Sequence, residues 1–178
     1  MKKIIWNITL ASLMTLVAYI ALYVVWAAIL TGLENPTLSL LLIALMTTVV
    51  FGLMLLYTSK IRRSVGEGEV LADYKDRKYL SPVDDLKIII KRESKTILCI
   101  AAIVLVCFAL NTFDRLVFEK KTISLPTFFF APMCLFDSMM DIPFVGYLLS
   151  AALDCFAYIV FLLLYRRKKY DYWMKNKV

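Results

Sequence analysis

The chain has 178 residues, of which 61% are hydrophobic and 20% charged, with a mean hydropathy of +0.74. That is well above the apolar share of a soluble domain; the complete absence of histidine excludes imidazole catalysis, and only 5 glycines argue against Gly-rich phosphate loops. The net charge of +7 sits beside long apolar runs, so anionic lipid headgroups are the expected partner of the basic residues and nucleic acid is not.

Four apolar runs follow one another: Ile4–Leu30, Leu38–Thr58, Thr96–Phe113 and Ile142–Tyr165. About 20 helical residues cross a hydrocarbon core roughly 30 Å thick, so each run predicts a transmembrane helix. The third is the shortest, and Lys95 and Arg115 at its ends can snorkel to the two interfaces. The expected fold is an all-α integral membrane protein, one domain over 1–178. Its four helices form two antiparallel hairpins joined by a cytoplasmic connector (59–95), with an outer loop (114–141) closing the second hairpin.

Orientation follows the lysines and arginines. Eighteen of the 21 lie in the N-terminal tail, the connector and the C-terminal tail, whereas the outer side has Arg115, Lys120 and Lys121. Both termini are expected in the cytoplasm, with the chain in the plasma (cytoplasmic) membrane. The first run is too long for the apolar region of a cleaved signal, and neither end carries a lipidation box.

The first outer turn, Gly32-Leu33-Glu34-Asn35-Pro36, is short, with Asn35 as cap and Pro36 opening the second helix. That helix is expected to run to about Val65 and stop at Gly66 and Gly68. Glu69–Leu80 mixes both charge signs with Val70, Leu71, Tyr74 and Tyr79, the composition of a short surface helix. Ser81-Pro82-Val83-Asp84 is a helix start, and from Pro82 the pattern continues through Leu86, Ile89, Ile90 and Ile97 into the third run. One amphipathic helix of about 35 residues is predicted there.

The outer segment Thr122–Asp141 is too apolar for a solvated loop. Pro126 and Pro132 lie within it, and a re-entrant or interfacial course fits, with Phe128, Phe129, Phe130 and Phe136 at headgroup depth. Asp137 and Asp141 form a D-x-x-x-D pair open to three readings: an outer cation site, a partner contact, or, for Asp141, a cap on the fourth helix. Cys99 and Cys107 fall on the third helix, Cys155 on the fourth and Cys134 in the outer segment. Only Cys134 faces an oxidising side, and no partner for it is evident there. Without a C-x-x-C pair or histidine, no metal or cofactor is expected.

Asp154 is the most informative residue. It lies near the middle of the fourth run, where a carboxylate costs about 2.5–3.5 kcal/mol on insertion scales. Gly146, Ser150, Asp154 and Tyr158 succeed one another at i, i+4 and form one stripe. Ser12, Thr15, Tyr19 and Tyr23 offer a facing stripe on helix one, and Ala44, Thr48 and Gly52 another on helix two. A hydrogen bond from one of these hydroxyls to Asp154 is expected. The site then reads either as polar glue or as an ion, proton or subunit-contact site built from Asp154, Ser150, Tyr158, Thr15, Tyr19 and Thr48.

Lys60, Arg62, Arg63 and Arg166, Arg167, Lys168, Lys169 flank helix ends and are expected on anionic headgroups. Tyr170, Tyr172 and Trp173 read as an interfacial anchor. No catalytic set survives, so the leading expectation is a non-enzymatic accessory, regulatory or protective, immunity-like subunit. It would act through contacts with another membrane protein or with itself. The alternative is a small oligomeric transporter or channel using Asp154.

Overall fold

A computed structural model describes residues 1–32, 36–63, 82–118 and 142–176, together with Phe130, Cys134 and Phe136. Of Tyr19, of residues 22–32, 36, 60–63, 82, 114, 115, 117, 118, 143, 169 and 170, and of all residues after 171, the side chains are outside this description. All the regular structure among the described residues is helical: α1 Lys2–Gly32, α2 Pro36–Arg63, α3 Pro82–Phe118 and α4 Pro143–Asn176. Three are long and apolar enough to cross a membrane, over Thr37–Ser59, Val83–Phe113 and Phe144–Lys168.

Proline opens three of the four helices. Its fixed φ suits the first helical position, where an absent N–H leaves nothing unpaired. At α4 the Ile142 carbonyl accepts from the Val145 and Gly146 amides at 3.0 and 3.3 Å, so Ile142 occupies the capping position assigned in sequence to Asp141. Asp137 and Asp141 themselves lie outside the described residues, as does the Glu69–Leu80 segment. The single helix expected from Pro82 is present and runs 37 residues. It contains neither glycine nor proline after its first residue. α4 exceeds expectation, continuing past Tyr165 to Asn176; Arg-Arg-Lys-Lys-Tyr contains no helix breaker.

α1 packs on α2, α2 on α4 and α4 on α3, with a slighter contact between α1 and α3. The core runs through Ile8 and Ala11 of α1, Phe51 and Leu55 of α2, Ile89, Ile100, Val104 and Cys107 of α3, and Tyr147, Tyr158 and Leu162 of α4. The Thr58 hydroxyl reaches the Asn7 carbonyl at 3.5 Å, bringing the end of α2 beside the start of α1. At the other end of α3, Phe108 stacks edge-on to Phe144 and Tyr147, centroids 5.6 and 5.4 Å apart, and Asn111 donates to the Tyr147 hydroxyl.

Three residues of the segment 122–141 are described, and they pack on protein. Phe136 is buried, and Phe130 and Cys134 pack, half-buried, against the core. The open end of the bundle is itself apolar, and burying a phenyl ring there removes more surface from water than the wet headgroup layer does. Phe128 and Phe129 lie outside the described residues.

Gly52 marks a close approach of α2 and α4. A Cβ at this position would stand 3.0 Å from the Ala157 Cβ, 3.1 Å from Phe161 Cδ2 and 3.2 Å from the Ala157 carbonyl carbon. Backbone cannot yield as a side-chain tip can, so a branched side chain must push the helices apart. Gly52→Val is expected to destabilise the protein by about 1–3 kcal/mol, read as a lowered thermal midpoint in detergent, with Gly52→Ala affected less.

Candidate functional site

α3 and α4 meet along a polar seam built by two i, i+4 ladders. On α3 the ladder is Asp85, Ile89, Glu93, followed by Thr96 and Ile100; on α4 it is Ser150, Asp154, Tyr158, Leu162, Arg166, all buried. At one end Arg166 Nε donates to Asp85 Oδ1 at 2.9 Å, and Arg166 Nη2 stands 2.9 Å from the same oxygen. Two helical turns along, Glu93 Oε2 accepts from the Tyr158 hydroxyl and from Thr96 Oγ1, both at 3.0 Å. Each hydrogen bond to a charged group is worth about 1.5–3 kcal/mol, so the seam ties the two helices in one register.

Arg166 was expected on lipid headgroups, and the structure corrects this: it is 5% exposed and paired inside the protein. The reason is its position four residues beyond Leu162 on the buried ladder. Arg167 is half-buried and Lys168 exposed, while Lys60, Arg62 and Arg63 stand on the last turn of α2 and Lys169 on α4, their side chains outside the description.

Asp154 lies one turn further in and is 1% exposed; Ser150 also is buried. Asp154 Oδ2 and Ser150 Oγ have no hydrogen-bond partner among the described residues. Two of the expected hydroxyl donors are engaged elsewhere. Thr15 Oγ1 donates to the Ala11 carbonyl at 2.8 Å, a bond within its own helix, and Tyr158 donates to Glu93. Thr48 is buried on α2, and Thr47 beside it donates to the Ile43 carbonyl at 2.8 Å. The side chain of Tyr19 lies outside the description. Thus Ser150, Asp154 and Tyr158 share one buried face as read from the sequence, but the carboxyl is not tied to the hydroxyls as expected.

Sequence reading missed Asp85 and Glu93, the partners of Arg166 and Tyr158. Their signal was the spacing: Asp85, Ile89 and Glu93 repeat the i, i+4 interval that singled out Asp154. The described residues contain no group of three or more acidic, cysteine or histidine side chains placed to hold a metal ion. No family model matches the chain, nor does any curated protein or solved structure.

Proposed function

We infer that the chain is a four-span, non-enzymatic protein of the cytoplasmic membrane. It acts as an accessory, regulatory or protective subunit through contacts with another membrane component. Supporting the topology, Asn7 stands beside Thr58, and Asp85 and Glu93 pair with Arg166 and Tyr158, the neighbour relations of two antiparallel hairpins. With Gly52 against Ala157, these relations bring the helix ends that carry Lys2–Lys3, Lys60–Arg63 and Arg167–Lys169 to one level, the level of the inner headgroups in this reading.

The observation that carries the contact reading is the outer face of α3. Only 22% of its apolar segment is buried, against 44% in α2 and 39% in α4. Glu93 is level with Tyr158, so exposed Lys95, two residues on, is level with exposed Phe156, two residues earlier on α4. Arg166 stands about 15 Å nearer the cytoplasm at 1.5 Å per residue. α3 therefore presents Lys91 and Lys95 to its surroundings at a depth where α4 presents Phe156 and Leu164. A lysine stem points toward the helix N-terminus, here the cytoplasm, and recovers part of that depth. A partner helix offering carboxylates there would meet the remainder, with Leu98, Leu105 and Val106 supplying apolar contact.

Reversing both charges in Lys91→Glu/Lys95→Glu is expected to abolish cross-linking of a membrane protein to a photoreactive group placed at Leu98. Stability should change by no more than about 0.5 kcal/mol, as for exposed sites. Cross-linking to lipid alone, the same in both proteins, would overturn the reading.

A second reading, an oligomeric transporter or channel, is favoured by Asp154. Its burial within its own bundle removes it from reach of another subunit's side chains. Its unpartnered oxygen is suited to a proton or a small cation.

A further inference from the structure

Buried polar atoms almost always find a partner, and an exception inside a bundle asks what would complete it. Asp154 Oδ2 and Ser150 Oγ are two such atoms, without a hydrogen-bond partner among the described residues, on side chains each 1% exposed. They stand at i, i+4 on α4, where Cβ atoms are about 5–6 Å apart, so one small ligand can touch both oxygens. Buried Thr15 and Thr47 return their hydroxyls to the carbonyl four residues back, as hydroxyls within helices commonly do. Ser150 forgoes that bond, although Gly146 lies at the same interval.

The two oxygens lie where α4 meets both neighbours. Ala157 marks the side of α4 that touches α2 at Gly52, and Tyr158 marks the side bonded to Glu93 of α3. At about 100° per residue, Ser150 lies within about 20° of Ala157, and Asp154 falls between Ala157 and Tyr158. In the topology proposed above α2 and α4 run the same way. Thr48 and Asp154 are then each one turn outward of the Gly52–Ala157 contact, which brings a third buried oxygen to the pair.

Charge selects what binds there. The buried charged side chains among the described residues are Asp85, Glu93, Asp154 and Arg166. Arg166 is committed to Asp85 and stands about 18 Å from Asp154 along α4, while Glu93 has the Tyr158 and Thr96 hydroxyls. A monovalent cation neutralises Asp154, whereas a divalent one leaves a net positive charge in a low dielectric. Oxygen donors alone suit a hard ion. A proton occupies one oxygen and leaves the other as it was; a metal ion is shared by both. The close approach of α2 and α4 at Gly52 leaves room for a small one.

We propose that Asp154, Ser150 and Thr48 bind a sodium ion between α2 and α4, the carboxylate supplying the charge and the hydroxyl oxygens their lone pairs. The inference rests on the second reading above, in which Asp154 serves an ion, and names that ion.

The test uses the full chain purified in mild detergent with choline chloride, into which sodium or potassium is titrated at constant ionic strength. Sodium is expected to raise the thermal midpoint saturably, by about 3–6 °C at ten times its dissociation constant, and potassium to leave it unchanged. Equilibrium dialysis should show radiolabelled sodium bound to the parent. Asp154→Asn should abolish both signals, and Ser150→Ala and Thr48→Val should each weaken sodium affinity roughly tenfold. The parent alone can overturn the proposal, by retaining no labelled sodium or by responding equally to sodium, potassium and choline. Undiminished sodium binding in Asp154→Asn would overturn it as well. A midpoint that follows pH but not sodium would assign the carboxyl to a proton, overturning the sodium site while the ion reading stands. Sodium binding as expected, without sodium flux in proteoliposomes, would support the site and overturn the transport reading.

Discussion

Arg166→Met alone is expected to destabilise the protein by about 3–5 kcal/mol, because it leaves the carboxylate of Asp85 buried without its cation. Asp85 and Arg166 are 2% and 5% exposed, so little solvent reaches the charge that remains. Asp85→Leu alone should cost a comparable amount by stranding the guanidinium. The double variant Asp85→Leu/Arg166→Met should recover most of the loss, since well-packed apolar pairs replace buried ion pairs at little or no cost. Thermal unfolding in mild detergent measures all three. A single variant within about 0.5 kcal/mol of the parent, the range of exposed substitutions, would show that the pair is open to water and that the α3–α4 register is held by other contacts.

Asp154→Leu is expected to have the opposite sign. A buried oxygen with no partner costs about 1–3 kcal/mol relative to a satisfied one, and an apolar side chain of similar branching removes that cost. The thermal midpoint should therefore rise. Asp154→Asn then tests the transport reading. Loss of dye-detected proton or cation flux in proteoliposomes, with the fold intact, supports the transport reading. Equal ion permeability in parent and Asn variant, with partner cross-linking at Leu98 unchanged, removes Asp154 from function. A lowered midpoint in the Leu variant would instead identify the carboxyl as internal glue.

Much of the architecture was legible in local chemistry. Pro36 and Pro82 marked helix starts, and the unbroken pattern from Pro82 into the third apolar run foretold one long helix. The buried face of α4 was legible too, through Gly146, Ser150, Asp154 and Tyr158. Two further steps of the same interval reach Leu162 and Arg166. Arg166 was grouped instead with Arg167, Lys168 and Lys169 because a row of four cations reads as a headgroup contact. Adjacency in sequence concealed the fact that only one member lies on the seam. Asp85 and Glu93 could not be matched to their partners from spacing alone, since pairing depends on which helices are neighbours and how far one slides along the other. The burial of Phe136 was hidden for the same reason. An apolar stretch beyond a helix end states that it will leave water, but lipid and protein are both destinations.

The uninterrupted course of α3 has a mechanical corollary. Sharp bends in helices arise at proline, at glycine–serine pairs or where a turn is widened, and nothing of that composition occurs between Val83 and Phe118. At 1.5 Å per residue the rod is about 55 Å long, with Asp85 near one tip and Asn111 near the other. A displacement imposed at one tip therefore meets no joint along the helix itself, and only the contacts with α4 and, more slightly, α1 can absorb it.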